Sequence, residues 1–194
     1  MRKITNICSI DIDVLVHGHT YARFINHDLS AELNWDLIEL IKKEVTTINT
    51  SIDEDYLTKT IELIKSKCSR AKLELITEHD EIISIMNKYK CKHATMYNLD
   101  AHHDISYGSY DAELNLENWV LHAKDKKLIK DYHWINRELS EPCECSTITY
   151  TRTTLADLDI NKVNEIDLLV ICTSKHFTPR EHWDSIPKLL TKGR

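Results

Sequence analysis

Two kinds of apolar pattern alternate along this chain. Short runs rich in β-branched residues are typical of buried strands, and longer segments repeat their apolar residues at helical spacing. Six runs are predicted to be strands: ITNICSIDID, KLELIT, HATMYNLD, KLIKDYHWI, the Thr-rich STITYTRTT at a sheet edge, and EIDLLVICTS, the most apolar of them. Strands that alternate with helices predict a parallel sheet covered on both faces.

The segment SAELNWDLIELIKKEVTT is predicted to be the first helix. It opens with Ser30, and its apolar residues recur at helical spacing: Leu33, Leu37, Leu40, Ile41 and Val45. Four further helices are predicted in SIDEDYLTKTIELIKSKC, EHDEIISIMNKYK, LNLENWVLHAKDK and PREHWDSIPKLL, the last with Pro179 near its start. We therefore expect one three-layer α/β/α domain with a mostly parallel sheet over residues 1–194.

Composition narrows the possible classes of function. The 194 residues are 42% hydrophobic and 29% charged, with only three Gly and three Pro, which is typical of a globular protein. The net charge of −6, with lysines mixed among acids, offers no basic face for nucleic acid. No apolar run approaches the ~20 residues that span a bilayer. The apolar segment after the N-terminus is too short, and too soon interrupted by acids, for a signal peptide.

The six cysteines are scattered along the chain. This distribution favours reduced thiols, and with the missing membrane signals it predicts a cytoplasmic protein. Cys143 and Cys145 form the one suggestive pair, but a lone C-x-C is a weak metal signal and is more typical of a surface turn.

Acids and histidines follow three of the predicted strands. Asp11 and Asp13 end the first, His79 follows KLELIT, and the group after HATMYNLD contains Asp100, His102 and Asp104. Ligands of parallel α/β sheets bind beyond the carboxyl ends of the strands. We therefore expect these side chains to meet at one edge of the sheet.

This combination of residues is typical of a metal site. Gathered aspartates repel one another unless cations compensate, and histidines among oxygen ligands suit Mn, Fe or Zn better than Ca or Mg. Residues at i, i+2 and i+4 point the same way at a strand end. Six such ligands are enough for two ions ~3.5–4 Å apart.

The motifs themselves resemble those of the arginase–deacetylase superfamily. NLDAHHD resembles its Asp-x-His-x-Asp motif, SIDIDVL its Ser-x-Asp-x-Asp motif, and TEHDEI the strand-end histidine that completes the ligands. The Ser-x-Asp-x-Asp strand comes last in arginases and first here, so the resemblance is to a short, permuted member. It implies an arginase-like three-layer α/β fold with two manganese ions.

The resemblance also implies roles for individual residues. One metal would be bound by His79, Asp100, Asp104 and Asp11, and the other by Asp100, His102, Asp11 and Asp13, with Asp100 and Asp11 bridging. The segments LENWVLHAKDKKLIKDYHWI and ICTSKHFTPREHW resemble an arginase-like branch in which a Trp-containing helix and a Ser/Thr-Pro loop flank the site. On that basis the substrate would contact Asn118, Trp119 and Ser174.

The expected activity is hydrolysis of a C–N bond in a guanidinium or amide group. Two divalent ions, most consistent with Mn²⁺ but with Fe²⁺ or Zn²⁺ open, would lower the pKa of a water molecule. Asp104 would orient the nucleophile, and His176 or His103 would return a proton to the leaving amine. The substrate would be a small molecule or a side chain, and the sequence leaves the oligomeric state open.

Alternatives remain at several positions. Asp11 and Asp13 also resemble the nucleophile motif of haloacid-dehalogenase-like phosphatases. His102, His103 and Asp104 resemble an Asp-His-His phosphoesterase motif, although Ala101 separates Asp100 from the two histidines. A third alternative is a non-catalytic metal-binding protein on the same fold.

Single histidines also have simpler explanations. His79 and its neighbouring acids could begin a helix without binding metal. His176 could be a surface residue near a proline turn. His17 and His19, in a loop after the first acid pair, could assist the site or could be solvated.

Overall fold

The computed structural model describes residues 3–16, 30–42, 51–105, 113–137 and 148–192. The strands are β1 (Asn6–Asp11), β2 (Lys72–Ile76), β3 (Ala94–Leu99), β4 (Ile129–Asn136), β5 (Thr151–Thr154) and β6 (Leu168–Cys172). The helices are α1 (Ala31–Lys42), α2 (Glu54–Lys67), α3 (Ile82–Lys88), α4 (Trp119–Asp125) and α5 (Ser185–Thr191). Short 3-10 helices cover Ile12–Leu15, His79–Glu81, Ile160–Lys162 and Arg180–His182.

The six strands form one sheet in the order β2-β6-β1-β3-β4-β5. Every neighbouring pair is parallel. The central strands β1 and β6 are almost wholly buried, which explains their continuous apolar sequences. The predicted α/β architecture is therefore confirmed, with a sheet that is entirely parallel among the described strands.

Helices cover both faces of the sheet. Cys8 and Ile10 pack with residues of α1, α2 and α5 on one face, whereas Ile7 packs with residues of α3 and α4 on the other. This division follows the alternation of side chains along β1. The three layers expected from the sequence are present.

The buried face of α1 is not the one that bears the leucines at helical spacing. The helix forms where predicted, but three of its leucines are 46%, 42% and 61% exposed: Leu33, Leu37 and Leu40. Trp35 and Ile38 are buried instead, and the Trp35 indole N–H donates to the Lys175 carbonyl oxygen at 2.7 Å. Apolar residues lie on more than one side of this helix, so periodicity alone does not identify the buried face.

Several helices are shorter than the sequence pattern indicates, most clearly α3, α4 and α5. Helix α4 begins at Trp119 because Asn118 holds a turn before it, accepting from the Asn115 N–H and donating to the Glu113 carbonyl. The closing segment forms a 3-10 turn at Arg180–His182 and only then α5.

Some sequence expectations fall outside this description. His17, His19, Cys143 and Cys145 lie outside the described residues, as do the end of the first predicted helix and the start of the Thr-rich strand. Among the helices of the described ranges, none has the length and apolar character needed to cross a lipid bilayer.

Candidate metal centre

The sheet order brings the predicted ligands together at one edge. β1 and β3 are neighbours with Ile10 opposite Leu99, so Asp11 and Asp100 emerge side by side. β2 lies on the other side of β1, with β6 between the two strands, and the 3-10 turn after β2 carries His79. Side chains separated by up to 93 positions in the sequence therefore share one buried cluster.

His79 lies at the centre of three carboxylates. Its Nδ1 atom is 3.4 Å from Asp11 Oδ2, 3.0 Å from Asp100 Oδ2 and 3.0 Å from Asp104 Oδ2. No hydrogen bond is made by this nitrogen, although the ring is buried. A buried nitrogen that faces three oxygens without bonding to any of them fits a ligand of a shared cation.

The opposite side of the His79 ring is fixed by Ser9. The Ser9 hydroxyl oxygen lies 2.7 Å from Nε2, and both side chains are buried. Ser9 belongs to β1 and is two positions before Asp11. Strand β1 therefore supplies both a candidate ligand and the group that orients a second one.

His102 and Asp13 form the other half of the cluster. The His102 Nδ1 atom is 3.3 Å from Asp13 Oδ2 and 3.6 Å from Asp100 Oδ1. Asp13 is fully buried, yet neither of its carboxylate oxygens has a hydrogen-bond partner. A buried carboxylate without hydrogen bonds is costly unless a cation neutralises it.

Two overlapping groups could each hold a metal ion. The first position comprises Asp11, His79 and Asp100, and the second comprises Asp13, Asp100 and His102. Within each group the ligand atoms lie within 4.8 Å of one another, and Asp100 belongs to both. Mixed carboxylate and imidazole ligands suit Mn, Fe or Zn. The donor set therefore fits a pair of divalent ions, while the identity of the metal stays a prediction.

The electrostatics of the metal-free cluster also favour a cation. Burial, followed by the charges of Asp13 and Asp100, raises the pKa of Asp11 well above its ordinary value. Burial and the Asp100 charge raise the pKa of Asp104 to about 7. These carboxylates hold protons that dications would displace.

For Asp100, His79 and His102 the pKa shifts favour the charged form. Burial opposes ionisation of Asp100, but the nearby imidazoles of His102 and His79 outweigh it and keep its pKa well below the usual range. Burial likewise opposes protonation of His79 and His102, and their neighbouring aspartates nevertheless raise both pKa values.

Strand β4 holds the loop that carries Asp100 to Asp104. The Trp134 indole N–H donates to the Asp100 carbonyl at 3.0 Å, and the Tyr132 hydroxyl donates to the His103 carbonyl at 2.9 Å. On the neighbouring strand β3, the Asn98 amide donates to Asp100 Oδ2 at 3.1 Å. These bonds fix the backbone and one carboxylate of the loop from beneath.

His103 points away from the cluster, as its alternation with the ligands predicts. Its Nδ1 atom accepts from the Ile105 N–H at 3.1 Å, and its ring packs edge-on against Trp134. Burial lowers its pKa to about 4. His103 therefore stabilises the loop from behind.

A cavity of about 180 Å³ opens above the cluster. It is lined by Asp11, His79, His102, Asp104, Leu116, Glu117, Ser174 and Phe177. Ser174 lines this cavity, and its contact with substrate stays a prediction. Asn118 and Trp119 are buried and do not line this cavity.

Three of the lining residues were missed by the sequence analysis. Leu116 and Glu117 belong to the turn before α4, and the Phe177 ring lies 5.2 Å from the His102 ring. Their only sequence signal is proximity to Asn118 and Ser174, because loop residues follow no hydrophobic period.

His176 is near the cluster but makes a different contact. Its Nδ1 atom lies 3.2 Å from Glu78 Oε1, and it is not among the residues that line the cavity. Burial raises the pKa of Glu78, and the neighbouring His176 opposes that rise.

Comparison of this chain with protein-family models, with curated proteins and with solved structures finds no match.

Proposed function

We propose that this chain is a metal-dependent hydrolase of the arginase–deacetylase type that cleaves a C–N bond in a guanidinium or amide group. The proposal includes two divalent ions, with Mn²⁺ favoured. It rests chiefly on one observation: two acid–histidine groups, buried except for the half-buried His102, share Asp100, and both oxygens of Asp13 lack a hydrogen bond. The arginase-like form of the fold is part of the same proposal.

The residues around the cavity support hydrolytic chemistry. Divalent ions in these two positions would supply a water of lowered pKa and would polarise the bond to be cleaved. Asp104 lines the cavity beside His79, where its carboxylate would orient the attacking water. Of the two histidines expected to return a proton, His103 is turned away and its Nδ1 accepts the Ile105 N–H, which leaves His176 as the candidate.

The charge of the cavity favours a neutral or cationic substrate. Two dications would balance the aspartates at positions 11, 13, 100 and 104, and Glu117 then leaves the lining negative. Among the described residues that line it, none is a lysine or an arginine. A phosphate ester would be repelled, which argues against the phosphatase alternative. The volume of about 180 Å³ suits the end of a small molecule or of a side chain.

Activity assays on the manganese-loaded chain test the proposal. Substrates would include alkylguanidines, simple amides, acyl-lysines and, as the competing class, phosphate monoesters. We expect turnover of a guanidinium or amide substrate that disappears in Asp100→Asn and persists in Asp131→Asn, an exposed aspartate of β4. A chain that demonstrably holds two manganese ions and turns over none of the C–N substrates would refute the proposal.

The non-catalytic alternative has a separate test. Asp11→Ala removes a ligand of the first metal position, and Asp100→Ala removes the ligand that both positions share. If these variants lost metal but retained the biological role of the chain, a binding protein would be the better description.

A further inference from the structure

Trp119 makes the hydrogen bond that fixes the Asp104 carboxylate. It is the first residue of α4, its side chain is fully buried, and its indole N–H donates to Asp104 Oδ2 at 2.7 Å. Within the described part of the chain, this is the one hydrogen bond from a neutral donor to that carboxylate. The oxygen that accepts it is also the one 3.0 Å from His79 Nδ1.

The start of α4 also holds the backbone of Asp104. The Val120 N–H donates to the Asp104 carbonyl at 3.2 Å. Asp104 has a φ angle of +49°, a left-handed conformation that is unfavourable for a residue with a Cβ atom. Two consecutive residues of α4 therefore bind the same aspartate: Trp119 bonds to its side chain and Val120 to its main chain.

The Trp119 ring contacts a second candidate ligand. Its centroid lies 4.9 Å from that of the His79 ring, at an interplanar angle of 39°. Tyr132 packs edge-on against the Trp119 ring at 6.2 Å, which supports the indole from another side. The indole therefore limits the rotation of His79 while its N–H limits that of Asp104.

The contacts of Trp119 reach only one half of the cluster. Asp104 and His79 belong to the side of the first metal position, whereas the second position is built by Asp13, Asp100 and His102. The contacts described for Trp119 reach neither Asp13 nor His102. An orienting residue of this kind changes the affinity of the position that it supports.

We propose that Trp119 is a positioning residue for the first metal position, acting by orienting Asp104 and His79. The sequence resemblance had implied that Trp119 contacts substrate, but the ring lies behind the cluster and does not line the cavity. The inference rests on the proposed function only in assuming that the cluster binds divalent ions.

The test is a calorimetric titration with Mn²⁺ alone, so it needs no substrate. Asp13→Asn is used as the background, because it removes a ligand of the second position and leaves the first to be read separately. In that background we expect Trp119→Phe, which keeps a large ring and loses the N–H, to weaken manganese binding about 10- to 100-fold. Trp35→Phe is the matched control: it also removes a buried indole N–H, but one that donates to the Lys175 carbonyl, and its affinity should be unchanged.

A second variant separates positioning from packing. In Trp119→His the imidazole ring is smaller than the phenyl ring of Trp119→Phe, but it keeps an N–H donor. If the N–H positions Asp104, the His variant binds manganese more tightly than the Phe variant; if ring volume alone matters, it binds more weakly. Should Trp119→Phe fail to unfold cooperatively, Trp119→His is titrated against the Asp13→Asn background, and a loss above tenfold overturns the proposal.

Failure of this inference differs from failure of the proposed function. Wild-type affinity in Trp119→Phe would show that Trp119 does not position the site, whatever the chain catalyses. Absence of manganese binding in the wild-type chain would instead remove the metal site and both proposals with it.

Discussion

The imidazole of His79 is held between Ser9 and three aspartates. Ser9 Oγ lies 2.7 Å from Nε2, which leaves Nδ1 directed to the carboxylates of Asp11, Asp100 and Asp104. A hydrogen bond on one ring nitrogen sets the orientation and tautomer with which the other meets a metal. Strand β1 thereby determines the orientation of His79, which belongs to a turn distant in sequence, towards the three carboxylates.

Ser9→Ala should weaken manganese binding about 10- to 100-fold, because the His79 ring loses the bond that orients it. Ser66→Ala is a suitable control, since the Ser66 hydroxyl donates to the Glu62 carbonyl on the outside of α2. Calorimetric titration measures both variants. Equal affinities in Ser9→Ala and wild type would show that the ring is held by its other contacts.

Asp13→Asn should lower stability both without metal and with it, and by more when metal is present. In the metal-free chain the raised pKa of His102 places a cationic imidazole 3.3 Å from Asp13 Oδ2, so the substitution removes one partner of a buried ion pair and should lower the free energy of unfolding by about 1–3 kcal/mol. Saturating Mn²⁺ at 100 times its Kd should stabilise the wild type by about 2.7 kcal/mol per site, and Asp13→Asn by less. Urea unfolding in EDTA and in Mn²⁺ gives both values. An Asp13→Asn chain as stable as the wild type in EDTA, or one that gains as much stability from Mn²⁺, would contradict the prediction.

The metal-free chain should lose stability as the pH rises from 5 to 8. Asp104, with a pKa raised to about 7, holds a proton in the folded chain that the unfolded chain releases near pH ~4. Its contribution is therefore complete below pH ~4 and lost as the pH rises through about 7. Three neighbours with raised pKa values act in the same direction: Asp11, His79 and His102.

Asp100 does not oppose this trend in the same window. Its pKa is lowered, so its contribution is present above pH ~4 and is lost only at more acidic pH. Thermal unfolding in EDTA at several pH values measures the slope, and Asp104→Asn should reduce it. In Mn²⁺ the slope should shrink or reverse, because the ions replace the protons. A melting temperature in EDTA that rises from pH 5 to 8 would contradict the assignment of these shifts.

Adjacent residues of α1 should differ sharply in their effect on stability. Ile38 is fully buried, so Ile38→Ala should cost about 2–5 kcal/mol. Leu37 is 42% exposed, and Leu37→Ala should cost about 0.5 kcal/mol or less. Chemical denaturation compares the two variants directly. Equal losses would mean that the face bearing Leu33, Leu37 and Leu40 is also covered.

Helix α1 shows where a sequence pattern reaches its limit. Periodicity found the helix, but its apolar residues occupy more than one side, so the choice of buried face depended on what packs against it. The closing helix shows the same limit: one helix was predicted from Pro179, and the structure forms a 3-10 turn at Arg180–His182 before α5 begins at Ser185. The ends of a helix and its buried face depend on residues that are close in space, and a pattern along the sequence does not contain that information.

The sequence by itself determined the alternation of strands and helices and the six polar residues that follow three strands. Those features are local, since β-branched runs, helical spacing and strand-end acids are all written within short segments. Only the tertiary structure decided that β1 lies between β6 and β3, which places Asp11 beside Asp100 and brings His79 to both. It also decided that Glu117 and Phe177 line the cavity and that Trp119 supports Asp104 from behind. Such contacts join residues far apart in the chain, and they exist only because the parallel sheet brings the carboxyl ends of its strands to one edge.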